Sequence, residues 1–498
     1  MVNEPMPGRG AITVVGLGPG NPVHLTREAW NVLSQSREVY LRTSRHPTVS
    51  ALPTHLVLSS FDYLYESADD FASLYDEIAG QILSLATRPQ GVVYAVPGHP
   101  LVGETSVQRI LSRARSEGIA VCLVDGLSFV EPVLSLLRLD GLEGLQLADA
   151  TELASGQHPL LDPDRPALVG QLYSRRLAGD VKLTLMNAYP DDHPVTLVRA
   201  AGMRDAAVET APLYELDRSM LIDHLTCLFL PRLAHTGGLP AFQQTVARLR
   251  APGGCPWDRE QSHESLRPHL LEETYEVLAA LDAGDLDKLC EELGDLLMQI
   301  VMHVQIATEE GQFHFSDVIG QIDAKLRHRH PHVFGDVKVS DSAEVLRNWE
   351  AIKREEARGR AGGQAEPAST LAGVPATLPA LARAQEISVR AARAGFEWPD
   401  VAGVLDKLAE EVGELFKAQD REAKVSEFGD VLFTLVNVAR WLNLDAESAL
   451  RSTCDRFSAR YAAMERQAHA MGANLADLPM TEQETLWQRA KGGELTGA

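Results

Sequence analysis

The sequence is poor in cysteine, short of positive charge and without any long apolar run, and each absence narrows what it can do. Five cysteines, Cys122, Cys227, Cys255, Cys290 and Cys454, are scattered with no CxxC pair, which argues against a disulfide framework or zinc site and fits a reducing cytosol. No stretch of eighteen apolar residues occurs, so no membrane span is expected. The first residues lack the charged start and apolar core of a secretory leader, and the run beginning at Ala11 reads as a buried strand. A cytoplasmic location follows as the expectation. Lys and Arg number 46 against 69 Asp and Glu, a net charge of −23, so attraction to a nucleic-acid polymer is not expected. This acidity reads either as solubility or as clustering for divalent cations, and position must decide.

The 498 residues suggest about three domains at roughly 100–200 residues each. The first 230 or so residues alternate strand-like and helix-like segments. Ala11–Leu17, Gly91–Val96 and Ile119–Val124 read as buried strands, and Thr26–Ser36 and Asp70–Ala86 as helices. A second strand-rich region follows, with Ala167–Leu172, Lys182–Met186, Val195–Ala200, Glu209–Pro212 and Thr226–Leu230. From about Pro240 the pattern is helical, with one apolar stripe at Leu296, Leu297, Ile300, Val301 and Val304 and another at Val431, Leu432, Leu435, Val436 and Ala439. Residues 357–379, rich in Ala, Gly, Pro and Arg, read as a linker.

The helical half contains an internal repeat. LEETYE at 271–276 is followed by ELGD at 292–295, and AEEVGE at 409–414 by EFGD at 427–430. Spacings of three and four place Glu272, Glu273 and Glu276 on neighbouring helix positions, with Glu292 and Asp295 on the next helix. Glu410, Glu411, Glu414, Glu427 and Asp430 repeat the set. Pairing the helices would gather four or five carboxylates in one pocket. Two carboxylates 4 Å apart repel by about 4 kcal/mol at an effective dielectric of 20, so such a cluster calls for bound cations or raised pKa values. Mg²⁺, which takes a few carboxylates and bridges to phosphate oxygens, is the natural partner, with Mn²⁺ as a substitute.

EExxE followed by ExxD on consecutive helices resembles the MazG-type nucleoside triphosphate pyrophosphohydrolases. GCPWD at 254–258 and RHPHVF at 329–334 match the family's first copy, and GFEW at 395–398 and LWQRAK at 486–491 its second, with Glu397 where the family usually has Asp. The resemblance covers about residues 239–498. It implies an all-α fold, Mg²⁺ held by the ten acids, and the reaction NTP plus water to NMP plus pyrophosphate. One glutamate of each EExxE would serve as general base, with Glu273 and Glu411 the candidates. Basic residues of these regions would meet the triphosphate: Lys325, Arg329 and Lys353 in the first copy, Arg456, Arg460 and Lys491 in the second. Trp349 and Trp487, like Trp257, could stack on base or ribose. Both copies keep a full acidic set, so neither is discarded.

The N-terminal segment VVGLGPG at 14–20 directly follows a strand. It is neither a Rossmann fingerprint nor a P-loop. Two further strand-end loops, YAVPGHP at 94–100 and VDGLSF at 124–129, could line one crevice with it. Together they resemble the tetrapyrrole methylase family over about residues 10–230. That implies a two-lobed α/β domain binding S-adenosylmethionine near Gly16, Gly18, Gly20, Pro97, Gly98, His99 and Ser128. The fusion resembles the YabN-type bifunctional family.

The expected organisation is a methylase-like domain at 1–232, a first helical module at 239–356, a linker at 357–379 and a second module at 380–498. The expected activity is nucleotide pyrophosphohydrolysis. The rival is a methyltransferase whose helical half only dimerises, and the repeated acid set argues against it. Nucleoside triphosphates and S-adenosylmethionine are the expected small-molecule partners. The family resemblance implies a homo-oligomer, a dimer.

Overall fold

A computed structural model describes residues 11–67, 71–360, 369, 371 and 374–493. The chain forms two compact units, Met1–Arg248 and Leu249–Ala498.

The first unit contains two five-stranded sheets. In the first, β1 (Ile12–Gly16), β2 (Glu38–Leu41), β3 (Val57–Ser60), β4 (Val92–Val96) and β5 (Val121–Val124) lie in the order β3-β2-β4-β1-β5, and every pairing is parallel. Parallel neighbours need crossovers, supplied here by α1 (Arg27–Gln35), α2 (Asp62–Ser67), α3 (Phe71–Ala86) and α4 (Thr105–Glu117). The continuous apolar runs of β1 and β4 are buried between these helices, with Ile12, Val14, Val15, Tyr94 and Val96 fully enclosed. After α5 (Val130–Leu137) comes the second sheet: β6 (Gln146–Asp149), β7 (Ala167–Gly170), β8 (Pro194–Arg199), β9 (Ala207–Pro212) and β10 (Thr226–Leu230), in the order β6-β7-β10-β8-β9. It is mixed, with only β6–β7 parallel. It packs with α6 (Ala150–Ser155) and α7 (Arg175–Leu185).

One expected strand is wrong. Lys182–Met186 alternates like a strand, but it ends α7 and its cap. Ser174 starts that helix by accepting a hydrogen bond from the Leu177 amide, and Ala178, Val181 and Leu185 then fall on one buried face. Helical spacing over three turns outweighs a five-residue alternation.

From α8 (Leu239–Arg250) onward every regular element among the described residues is helical. After α9 (Pro256–Glu260), α10 (Arg267–Ala283) and α11 (Leu286–Glu309) form a hairpin. Its turn is set by Gly284 at φ 66 and by Asp285, which caps α11. There follow α12 (Phe315–Arg329), α13 (Pro331–Phe334) and α14 (Ser342–Arg360), then α15 (Ala380–Arg393). A second hairpin, α16 (Val401–Lys417) and α17 (Arg421–Trp441), repeats the first, its helices capped by Asp400 and Asp420. Finally come α18 (Ala446–Ala470) and α19 (Met480–Gly493). Of the expected linker, residues 357–360 end α14, while 361–368, 370, 372 and 373 lie outside the described residues. An ion pair of 2.8 Å between Arg451 on α18 and Asp282 on α10 joins the two halves of this unit. No described helix is long and apolar enough to cross a membrane.

The two apolar stripes are only partly buried. Val301, Val304, Val431 and Val436 are enclosed, but Leu297, Ile300, Leu432 and Leu435 remain 38–45% exposed.

Candidate active sites

Each hairpin brings acids together across its two helices. In the first, Glu273 and Glu276 of α10 meet Glu292 of α11, with one oxygen of each within 4.8 Å of the others. In the second, Glu411 and Glu414 of α16 meet Glu427 of α17 in the same way. The repeat thus becomes two triads, built from the third and sixth residues of each LEETYE-type motif and the first of each ExGD. Asp295 and Asp430 lie close enough to act electrostatically on Glu273 and Glu427. Glu272 and Glu410 stand outside the triads: Glu272 is 3.6 Å from His269, and Glu410 is 3.1 Å from Lys407.

Repulsion is visible in the acids' proton affinities. Burial, then Asp295, Glu292 and Glu272, raises the pKa of Glu273. Glu292, then burial, raises that of Glu276. Burial, then Glu414, Asp430 and Glu411, raises that of Glu427. Two lysines missed in the sequence partly offset this charge. Lys288 Nζ is 2.6 Å from Glu292, and Lys407 Nζ is 2.9 Å from Glu411. Each grips the most buried acid of its triad, and the contact raises both lysine pKa values well above normal. The available signal was a lysine four residues before a glutamate. It sits on the second helix in one copy and on the first in the other.

Three of the six expected phosphate-binding residues, Arg329, Lys353 and Arg460, sit over tryptophan rings. Arg329 at the end of α12 forks onto Glu356 at 2.5 and 3.1 Å, and its guanidinium is 5.6 Å from the Trp349 ring centre. Lys353 Nζ, one turn beyond Trp349, is 4.4 Å from the same ring. In the second copy Arg460 is 5.6 Å from the Trp487 ring, against which Phe457 also packs. Lys491 again lies one turn beyond the tryptophan on α19, while Arg456 bonds Ser452 and Thr453 on its own helix. Lys325 lies on α12, one turn before Arg329.

Glu397, the departure in GFEW, is an anchor. Its carboxylate accepts from Arg440 at 2.6 and 2.8 Å and from Trp441 Nε1 at 3.2 Å. Arg440 Nε donates to Ser388 Oγ at 2.7 Å, and Ser388 bonds the buried Asn437. This network fixes α15 to α17.

In the first unit the three glycine-bearing loops meet at the carboxyl ends of β1, β4 and β5, where open parallel sheets bind ligands. Gly18 and Gly98 exchange backbone hydrogen bonds at 3.2 and 2.8 Å. A Cβ on Gly16 would lie 2.6 Å from Gly98 O and 2.7 Å from Gly126 N, so Gly16 admits neighbouring backbone. Gly20 sits at φ +124, and Pro97 leads from β4 into Gly98. His99 accepts from the Leu101 amide and lies 3.4 Å from Asp125. Ser128 is buried; its hydroxyl donates to Glu131 and accepts from the Val130 amide at the start of α5. Sequence reasoning missed a buried ion pair beside these loops, Arg42 with Glu104 at 2.5 Å. Burial pushes the Glu104 carboxyl up to about 6 against the pull of Arg42. The pair joins residues sixty-two apart, with no local pattern to reveal it.

Comparison with known proteins accounts for both units. The tetrapyrrole (corrin/porphyrin) methylase family matches residues 11–217. The MazG nucleotide pyrophosphohydrolase domain matches twice, over 261–334 and 401–464. The chain therefore joins a methylase-like fold to tandem MazG domains. It belongs to the YabN-like family: the uncharacterized protein YabN of Bacillus subtilis is 41% identical over 491 residues, covering 97% of this chain and 98% of that one. The helical half is 43% identical over 258 residues to the nucleoside triphosphate pyrophosphohydrolase/pyrophosphatase MazG of Thermotoga maritima, covering 51% of this chain and 97% of that protein. It is also 43% identical over 256 residues to the nucleoside triphosphate pyrophosphohydrolase of Escherichia coli, covering 50% of this chain and 95% of that protein.

Proposed function

We propose that the chain hydrolyses nucleoside triphosphates to monophosphate and pyrophosphate in its tandem helical domains, at 239–356 and 380–498, with Mg²⁺ as cofactor. The observation that carries this reading is the pair of acid triads, in a chain whose helical half is 43% identical to named pyrophosphohydrolases. The donor set fits the ion: oxygen-only, anionic and electrostatically unsatisfied. Glu276 and Glu292, with Glu273 and Asp295 beside them, would hold it in the first copy; Glu414, Glu427 and Asp430, with Glu411, in the second. When bound, Mg²⁺ neutralises triphosphate charge and polarises the phosphoryl oxygens. Glu273 and Glu411 are the groups we assign to take the proton from water as it attacks the α-phosphorus and pyrophosphate leaves. The raised proton affinity of Glu273 favours that role. The cations beside Trp349 and Trp487 would receive the leaving pyrophosphate.

We assign the N-terminal domain, residues 1–232, to S-adenosylmethionine binding at the joined Gly18, Gly98 and Ser128 loops. We assign the exposed halves of the two apolar stripes to a second copy of the chain in a dimer, because contiguous apolar surface of this kind marks an interface. A cytoplasmic location suits these substrates. Purified chain would be incubated with Mg²⁺ or Mn²⁺ and standard and deoxy NTPs, with Glu273→Gln and Glu411→Gln in parallel. NMP and pyrophosphate, lost in one or both variants, support the reading and identify the working copy. NDP and phosphate instead would refute attack at the α-phosphorus. No cleavage at all would leave the methyltransferase reading in front.

A further inference from the structure

The first hairpin carries a second polar feature that the acid chemistry does not use. On α11, Asp295, Gln299 and His303 succeed one another at four-residue intervals, so they share one helix face and lead away from the triad. Gln299 is 4% exposed, and its Oε1 is buried without a hydrogen-bond partner. His303 Nε2 is also buried and unpartnered. Its Nδ1 lies 2.8 Å from Nδ1 of His263, and the two rings stack with centres 5.1 Å apart. The contacts across the hairpin run antiparallel to this face: Glu273 acts on Asp295, and His263, four residues before the start of α10, meets His303. On α10 itself His269 carries the half-exposed Trp257 edge-on, 6.3 Å between centres.

A buried amide oxygen without a partner costs roughly 1–3 kcal/mol. The second copy fills the corresponding positions with a smaller hydroxyl and an aliphatic side chain. Aligning ELGD at 292–295 with EFGD at 427–430 puts Thr434 opposite Gln299 and Val438 opposite His303. Gln299 offers an acceptor and a donor, and the histidine pair offers either according to which nitrogen holds the proton. That is the complement of a nucleobase edge.

We propose that the Asp295–Gln299–His303 face of the first copy seats the nucleoside of the substrate, with Gln299 and the His263–His303 pair reading the base, and that the second copy, with Thr434 and Val438, reads a different base. This rests on the pyrophosphohydrolase reading for the location of the triphosphate. It adds a division of labour between copies.

The test uses the full-length chain with triphosphate binding by its second copy removed by Glu414→Gln with Glu427→Gln, two of the acids that would hold that copy's cation. Affinities are measured for the α,β-methylene analogues of ATP, GTP, CTP and UTP with Mg²⁺, and for inorganic triphosphate, which has no base. Installing the second copy's residues, Q299T with H303V, is expected to change the ratio between best-bound and worst-bound base by about ten-fold or more, with inorganic triphosphate affinity kept within about two-fold. If the double variant loses triphosphate binding with its fold, His263→Asn reads the same ratio from the edge of the site, with a change of about three-fold expected. An unchanged ratio in the folded variant overturns the proposal, as does a parent first copy that binds no analogue. Both failures leave the hydrolase reading standing if wild-type chain still yields NMP and pyrophosphate. Selective binding without any hydrolysis would instead sink the hydrolase and keep the base-reading face.

Discussion

Lys288 Nζ lies 2.6 Å from Oε1 of Glu292, whose side chain is 2% exposed, so an ammonium occupies one lobe of the first acid triad. A divalent cation held by this triad would compete with the lysine for the same oxygen. Lys288→Met is expected to lower the melting temperature in EDTA by a few degrees, because it leaves the buried Glu292 among acids without its ammonium. Excess Mg²⁺ should restore it. Thermal scans with and without Mg²⁺ read both effects, and a loss that Mg²⁺ leaves untouched would make the lysine a simple surface partner.

The raised pKa values of Glu273, Glu276 and Glu427 carry a sign. A carboxyl with a higher pKa folded than unfolded binds more protons in the native state, so stability falls as pH rises from the unfolded value through the folded one. The metal-free helical unit is therefore expected to lose stability on going from mildly acidic to neutral pH. Mg²⁺ should flatten the slope by replacing those protons. Melting temperature against pH, with EDTA and with Mg²⁺, gives the difference directly; identical curves would contradict it.

Glu397 receives both terminal nitrogens of Arg440 and the Trp441 indole. Glu397→Ala leaves Arg440, 15% exposed, without its carboxylate, and is expected to cost roughly 1–3 kcal/mol in urea denaturation. Glu397→Asp, the residue usual in the resembling family, should cost less than about 1 kcal/mol because the pairing survives.

Gly16→Ala would drive a methyl group to within 2.6 Å of Gly98 O and 2.7 Å of Gly126 N, both backbone atoms that cannot turn aside. Destabilisation of about 1–3 kcal/mol in the first unit is expected. Loss of S-adenosylhomocysteine binding by calorimetry should accompany it, with NTP hydrolysis retained. Normal binding and stability would place the loops differently.

What could be read in the sequence was whatever repeats locally. The acids of the triads recur at helix spacings of three and four, and the whole set occurs twice, so their meeting could be anticipated. Glu272 and Glu410 share that spacing but turn to His269 and Lys407, a choice of helix face that adjacent glutamates do not reveal. The strands β1 and β4 are apolar runs buried on both faces and β5 is an apolar run at the sheet edge, while β2, β3 and β6 are four residues each and carry polar groups that mask them. Lys182–Met186 failed because a short alternation also fits one side of a helix. Arg42–Glu104 and Ser388–Arg440 join distant segments, and their partners are set by packing alone.

The contact between Arg451 and Asp282 bears on how the duplication has aged. A tandem repeat strung as separate beads can lose one bead without consequence. Here the later copy has a side chain engaged on the earlier one, so deleting either would strand a charge on the survivor. A copy that lost its chemistry would still be kept as a neighbour, and its acids would be free to drift toward another substrate.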